Sequence, residues 1–154
     1  MSRISYIENM EDWAASFTFT HEVKVRFSET DMFGHLNNTV PFTYFEEARI
    51  EYFKSLGFMQ DWVNDESGAI PVVADLQCDF LQQMFFNDKV IIQVKAAKIG
   101  TSSADIHYLG KKEDGSICLT GRGTVVQINK ATGKPLAWTE EMKQLMDKQN
   151  PVRK

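Results

Sequence analysis

Alternation of apolar and polar residues predicts a first strand at residues 21–27. Val23, Val25 and Phe27 fall on one side of this segment, and charged residues fall on the other. A period of two with one apolar side is typical of a half-buried strand.

The alternation returns further along the chain and predicts four more strands. The apolar face of the first of these would carry Ile70, Val72, Ala74, Leu76, Cys78 and Phe80. The next two strands are predicted at residues 89–99 and 102–112, joined by Gly100 and Thr101, and the stretch EDGS leads into the last strand at 117–129. The pattern therefore predicts five strands, of which the last four are joined as hairpins.

Two glycines interrupt the last strand. Gly121 and Gly123 lie in its middle, and the apolar positions change phase across them. Such a change is typical of a β-bulge or a sharp bend. The strand is therefore expected to be long and bent.

One long helix is predicted between the first and second strands, at residues 39–56. Apolar residues cover well over half of its circumference, and Gly57 follows it as a stop signal. A second, short helix is predicted after Thr139, with acidic residues in its first turn. We expect this terminal helix on the outside of the domain or at a subunit contact.

A largely apolar helix and a mainly antiparallel five-stranded sheet predict an α+β fold in which the sheet curls around the helix. Core packing explains the many aromatic residues of the helix. A chain of 154 residues suits one such domain, with room for a terminal extension.

Composition and charge narrow the classes of function. The net charge of -4 gives no general attraction to nucleic acid. The acidic start lacks the apolar core of a signal peptide, and no segment reaches about 20 consecutive apolar residues, the length of a membrane span. Cys78 and Cys118 have no CxxC spacing, and we expect no metal site. These features predict a cytoplasmic protein that binds neither nucleic acid nor a membrane.

Candidate chemistry lies between the first strand and the helix. Asp31 has the apolar neighbours Met32 and Phe33, and apolar surroundings suit a carboxylate that acts as general base or nucleophile. The free N–H groups at the start of the helix, near Asn38, are the donors that an oxyanion hole needs. An alternative is a plain turn, in which Asp31 bonds its own backbone and Gly34 takes a positive φ.

Residues 25–53 read VRFSETDMFGHLNNTVPFTYFEEARIEYF and resemble the opening motif of hot-dog-fold acyl-CoA thioesterases of the 4-hydroxybenzoyl-CoA thioesterase type. In that family a strand ends in Asp, a loop carries Gly-His-x-Asn-Asn, and the helix carries Tyr-Phe-Glu-x-Ala-Arg. The similarity is dense over residues 23–53 and continues more loosely to about residue 137. It implies a hot-dog domain over residues 21–154, preceded by an extension at 1–20. Glu29 and Pro41 depart from the usual pattern, but Asp31 is kept, so the departures affect the expected substrate and not the expected activity.

The resemblance also implies roles for individual residues. Asp31 matches the catalytic carboxylate, and Asn38 matches the position whose backbone N–H polarises the thioester carbonyl. His35 belongs to a Gly-His subgroup and could orient substrate or water. Substrate-contacting positions are expected at Phe33, Gly34, Leu36 and Tyr44, and a weaker match places Thr101, Ser102 and Ser103 near the pantetheine and nucleotide.

The implied reaction is hydrolysis of an acyl-CoA or aroyl-CoA thioester without metal or organic cofactor, in a homodimer or homotetramer whose sheets join edge to edge. Two alternatives stay open. One is a hydratase or dehydratase that pairs Asp31 with His35, and the other is an acyl-CoA binding protein without catalysis. The acyl group and its carrier, coenzyme A or a protein, are not readable from the residues.

Overall fold

The computed structural model of the chain describes residues 4–64, 66 and 68–148. Its strands are β1 (Phe19–Lys24), β2 (Ala69–Val73), β3 (Gln77–Phe80), β4 (Lys89–Ile99), β5 (Ser103–Lys112) and β6 (Ile117–Asn129). Its helices are α1 (Met10–Ala15), α2 (Val40–Ser55), α3 (Phe58–Val63) and α4 (Glu140–Lys148), with a short 3₁₀ turn at Phe27–Glu29.

The strands form one antiparallel sheet in the order β1–β4–β5–β6–β2, with β3 beside β2 on the same edge of β6. The central helix α2 packs on the inner face of this sheet. Its buried residues are Pro41, Tyr44, Phe45, Ala48, Arg49, Tyr52 and Phe53. Because so much of α2 is buried, the sheet can curl around it, and the predicted α+β hot-dog architecture is confirmed.

The predicted strand at 70–80 is two strands, and its single apolar face is wrong. Val73 pairs with Val125 and Gln77 pairs with Arg122, so three residues, 74–76, lie opposite only two residues of β6. One extra residue moves every following side chain to the other face of a strand. Ile70 and Val72 therefore lie on the face opposite to Cys78 and Phe80.

Of the two alternatives predicted at the two glycines, the β-bulge is wrong, because β5 pairs with β6 in regular register across both. The glycines instead permit close approach. A Cβ atom on Gly121 would lie 2.4 Å from Cε2 of Phe45, and one on Gly123 would lie 2.5 Å from the Asp75 carbonyl oxygen. Gly121 thus admits α2 against the sheet, and Gly123 admits the extra residue of the neighbouring strand.

The first strand begins and ends earlier than predicted. β1 ends at Lys24, and the backbone N–H of Val25 bonds to Asp88. The chain then turns, because the Glu29 carboxylate accepts from the Arg26 N–H. Val23 and Val25 are buried as predicted, whereas Phe27 lies in the 3₁₀ turn and is 74% exposed.

Two helices were not predicted, and one of them covers the outer face of the sheet. The segment that contains α1 packs Ile7, Trp13 and Phe17 against Leu109 of β5. The helix α3 follows Gly57, which has a φ of +83°, and buries Phe58 and Trp62. The terminal helix α4 is capped by Thr139 as predicted, and it buries Met142 and Met146 in the main core. Among the described helices, none has the length and apolarity to cross a membrane.

Candidate active site

A short loop between β1 and α2 carries the candidate acid. The Asp31 N–H donates to the His35 carbonyl over 2.8 Å, and Gly34 turns the chain with a φ of +82°. The Leu36 N–H donates to the Met84 carbonyl over 2.7 Å, which ties the loop to the segment that precedes β4. The loop position is therefore set by backbone hydrogen bonds rather than by side chains alone.

The Asp31 carboxylate uses one oxygen to hold this loop. Its Oδ1 accepts from the backbone N–H of Phe33 over 2.9 Å and of His35 over 3.2 Å. This is the turn that the plain interpretation predicts. In residues 4–64, 66 and 68–148, no donor bonds to Oδ2. One oxygen thus fixes the side chain, and the other stays available for chemistry.

A cavity of ≈520 Å³ opens beside this carboxylate. One wall consists of Asp31, His35, Leu36, Asn37 and Asn38, and the other consists of residues 80–84. His35 packs edge-on against Phe85, with ring centres 5.2 Å apart. The cavity therefore lies between the start of α2 and the end of β3.

Asn38, in the wall of this cavity, has a backbone N–H to which no acceptor among the described residues bonds. Asn37 accepts from the two following donors, with its side-chain oxygen from Thr39 N–H at 3.0 Å and with its carbonyl from Val40 N–H at 3.0 Å. For Asn38 N–H, the described part of the chain offers no acceptor. A free donor at the positive end of a long helix can stabilise an oxyanion.

The structure brings only part of the expected site together. Asp31, His35, Leu36 and Asn38 line one cavity, and Gly34 belongs to the same loop. Phe33 is 74% exposed and does not line that cavity, so it leaves the carboxylate uncovered within a single chain.

Tyr44 lies elsewhere. It is buried, and its hydroxyl donates to Glu29 Oε1 over 2.7 Å. Burial, together with the hydrogen bond to Glu29, holds the pKa of Tyr44 above its ordinary range. The Tyr44 hydroxyl therefore bonds to the 3₁₀ turn that precedes Asp31, and Tyr44 does not line the cavity.

Thr101, Ser102 and Ser103 lie far from Asp31 within the chain. They form the turn between β4 and β5, where the Ser102 carbonyl accepts from Gln127 N–H. The segment at residues 80–84, which lines the Asp31 cavity, precedes the opposite end of β4, and a strand of this length spans about 35 Å. A site that used both regions would need a second copy of the chain.

Sequence reasoning missed the second wall of the cavity, residues 80–84. Phe80 is 52% and Leu81 is 43% exposed, which is unusual for large apolar side chains beside a polar cavity. The apolar residues that continue past the predicted end of this strand were the available signal. Among the described residues, no group of three or more His, Cys, Asp or Glu side chains could hold a metal ion.

Comparison with known proteins decides the family. Residues 25–146 match the family model described as the thioesterase-like superfamily. The chain belongs to this superfamily. The match includes Asp31, Asn38 and both walls of the cavity.

Three relatives place the chain within the superfamily. The uncharacterized protein YsmA of Bacillus subtilis is 46% identical over 136 residues, which cover 88% of this chain and 90% of that protein. An acyl-acyl carrier protein thioesterase, ATL3 of Arabidopsis thaliana, is 34% identical over 70% of this chain and 57% of that protein. A Thermus thermophilus thioesterase, solved with coenzyme A and zinc, is 28% identical with a TM-score of 0.72 over 86% of this chain and 95% of that chain.

Proposed function

We propose that this protein hydrolyses an acyl-CoA or aroyl-CoA thioester to a free acid and coenzyme A. One observation carries the proposal: a carboxylate with a free oxygen and an unpaired backbone N–H line the same cavity. Attack on a carbonyl and stabilisation of its developing charge need these two groups.

Asp31 acts through the oxygen that the loop leaves free. As general base, Asp31 takes a proton from water while the water oxygen bonds to the thioester carbon. As nucleophile, its own oxygen bonds to that carbon, and water later hydrolyses the anhydride that results. In both cases the carbonyl oxygen becomes an oxyanion that accepts from Asn38 N–H, a contact worth about 3 kcal/mol in comparable sites. The C–S bond breaks, and the sulfur leaves as a thiolate that needs little acid assistance.

Coenzyme A is the proposed carrier of the acyl group. The Thermus thermophilus relative was solved with coenzyme A, which supports this carrier. The plant relative is named as an acyl-acyl carrier protein thioesterase, so a protein-bound thioester is the first alternative substrate.

We propose a homodimer joined along the edge formed by β2 and β3. Among residues 4–64, 66 and 68–148, no strand pairs with the outer side of this edge, and Val72, Val73 and Phe80 along it are 37%, 44% and 52% exposed. An open edge with apolar side chains favours pairing with a second copy. The partner would cover the open side of the Asp31 cavity, which Phe33 leaves uncovered.

A hydratase is the second candidate, because His35 lines the same cavity as Asp31 and could pair an acid with a base. The peptide N–H of His35, however, is the group that bonds to Asp31. A hydratase would add water to an unsaturated acyl thioester without releasing free thiol, so one assay separates the two reactions.

The experiment measures free thiol release from a panel of acyl-CoA and aroyl-CoA thioesters. Asp31→Asn keeps the Oδ1 acceptor that holds the loop but removes the charge, and we expect a loss of about a hundredfold or more in kcat. Asp114→Asn is the matched control, because Asp114 Oδ1 accepts from Ser116 N–H in a distant turn in the same way.

Two results would contradict the proposal. Wild-type rates in Asp31→Asn would remove Asp31 from the chemistry. Absence of turnover with both coenzyme A and carrier-protein thioesters, combined with unchanged acyl-CoA binding in the variant, would favour the binding protein.

A further inference from the structure

The edge strand that supplies the second wall of the Asp31 cavity contains one extra residue. β3 pairs with β6 from Gln77 to Phe80, and the chain then continues into residues 81–84 of that wall. Residues 74–76 lie just before this pairing, opposite two residues of β6. In a strand, one residue more or fewer turns every following side chain to the other face. The geometry at 74–76 therefore decides which side chains the wall presents to the cavity.

A carboxylate takes the place of a backbone carbonyl at this point of the sheet. The Ala74 N–H donates to the Thr124 carbonyl over 2.8 Å. In a regular antiparallel pair the two residues exchange both hydrogen bonds, so the Thr124 N–H would return to the Ala74 carbonyl. It donates instead to Asp75 Oδ1 over 2.7 Å. The side chain of the extra segment thus completes the pairing that the extra residue interrupts.

Arg122 of β6 holds this carboxylate in place. Its Nη2 lies 3.5 Å from Asp75 Oδ1 and donates to Thr124 Oγ1 over 3.1 Å. The guanidinium is itself fixed, because Nε and Nη2 lie 2.8 Å and 2.6 Å from Asp105 Oδ1. The Thr124 N–H and, to a smaller extent, Arg122 hold the pKa of Asp75 below its ordinary value. Asp75 is therefore ionised at neutral pH and accepts as a carboxylate.

The wall is also tied directly to the loop that carries Asp31. The Leu36 N–H donates to the carbonyl of Met84, which is only 2% exposed, over 2.7 Å. If residues 77–84 change register or move, this bond is stretched or lost. The distance between the wall and the free Asp31 oxygen then changes as well.

We propose that Asp75 is a positioning residue of the Asp31 site: its carboxylate, held by Arg122, fixes the extra residue and so places the wall at residues 80–84. This role rests on the proposed function, and Asp75 itself touches neither substrate nor reacting atoms. Every contact involved lies within one chain, so the role needs no second copy and no exposed surface. β-bulges occur often beside active sites, where they redirect side chains.

Amide hydrogen exchange tests the placement of the wall without any substrate. Asp75→Ala removes the acceptor of the Thr124 N–H, whereas Asp75→Asn keeps an oxygen there. Because the Asp75 side chain is 58% exposed, neither variant leaves a cavity in the core. We expect exchange at Leu36 to be roughly tenfold faster in Asp75→Ala and close to the wild-type rate in Asp75→Asn. Gly34 is the internal control, because its N–H donates to Asp31 within the loop.

Cross-strand contacts in NMR spectra measure the register itself. Cys78 lies opposite Gly121 in the structure, and their contact should weaken in Asp75→Ala and return in Asp75→Asn. The contact between Lys95 and His107, which are paired in β4 and β5, should stay in both variants and show that the rest of the sheet is folded.

The kinetic experiment uses the thioester that the wild type hydrolyses fastest. Asp31 and Asn38 lie on the other wall, so Asp75→Ala should raise KM by a larger factor than it lowers kcat, and Asp75→Asn should restore KM. Asn129→Ala is the matched control. Asn129 Oδ1 accepts from the Ala131 N–H over 2.9 Å in the turn that follows β6, and the loss of this bond should leave both constants unchanged.

Each outcome supports the role of Asp75 or overturns it. Faster exchange at Leu36 in Asp75→Ala, reversed in Asp75→Asn, supports placement of the wall even if no thioester is hydrolysed, a result that would contradict the proposed function alone. Wild-type exchange and an intact Cys78–Gly121 contact in Asp75→Ala would overturn the role. Equal effects of the two variants would overturn it as well, because the acceptor oxygen would then not place the wall. Faster exchange with an unchanged KM would overturn the link to substrate.

Discussion

At the scale of single residues, the two cysteines show how burial alters a titrating group. Cys118 is fully buried and its Sγ–H lies 3.4 Å from the Gly110 carbonyl, while Cys78 is half-buried. Burial raises the pKa of Cys118 to about 11 and that of Cys78 to about 12, from 9.0 for a free thiol. Both thiols therefore stay protonated and unreactive under the conditions of a free-thiol assay.

These thiols predict a loss of stability at high pH. Because the folded pKa lies above the unfolded value, the stabilisation is complete below about pH 9 and is lost as the pH rises towards 11. We expect the free energy of unfolding in urea to fall across this range. Cys118→Ala should start less stable, because it leaves a cavity, but should lose less stability with rising pH. An unchanged slope in this variant would mean that Cys118 does not contribute.

At the scale of elements, α1 joins the outer face of the sheet through one directional contact. Trp13 Nε1 donates to His107 Nδ1 over 2.9 Å, and His107 Nε2 lies 3.0 Å from Asp105. An indole N–H can only donate, so Nδ1 is the acceptor and Nε2 carries the proton towards the carboxylate. Near the end of this segment, Lys95 Nζ donates to Ser16 Oγ.

Two substitutions separate the hydrogen bond from the apolar contact. Trp13→Phe keeps an aromatic ring but leaves His107 Nδ1 without its donor, and we expect it to cost about 1–3 kcal/mol. Trp13→Ala should cost about 3–5 kcal/mol, because it also removes the ring that packs on the sheet. Urea unfolding followed by circular dichroism measures both. Equal costs would show that packing of the ring adds nothing.

The same scale shows what the sequence could predict. The limits of β4 and β6 were predicted because β-prone residues fill each segment and turn residues bound it in the sequence. The division of this segment into β2 and β3 was not predicted, because the extra residue at 74–76 can be recognised only from the pairing with β6. The short helices α1 and α3 were missed because each buries one or two large side chains against distant elements, which leaves no period in the sequence.

Only part of the candidate site could be predicted from the sequence. Asp31 and Asn38 could be predicted because one loop, closed by its own hydrogen bonds, carries both. Residues 80–84 could not, because sheet pairing brings them beside the cavity. Local motifs therefore predicted which candidate groups lie together, whereas tertiary contacts determine which groups surround them.

At the scale of the whole molecule, the open edge of the sheet predicts how copies associate. Phe80→Lys places a charge on that edge and should weaken the proposed dimer, with dissociation followed by sedimentation equilibrium over a range of concentrations. Val63→Lys is the control, because Val63 is 72% exposed on α3 and belongs to neither edge strand. A dimer equally strong in both variants would place the interface elsewhere.

The strand order has a consequence for how the chain folds. β4, β5 and β6 pair with their immediate neighbours in sequence, whereas Phe19 of β1 pairs with Val94, 75 positions away. Closing that long loop costs chain entropy before any contact rewards it. The loop of Asp31 follows β1, and its Leu36 N–H bonds to the Met84 carbonyl. The cavity therefore forms only after β1 has paired with β4. Recovery of enzyme activity during refolding should therefore lag behind recovery of the sheet.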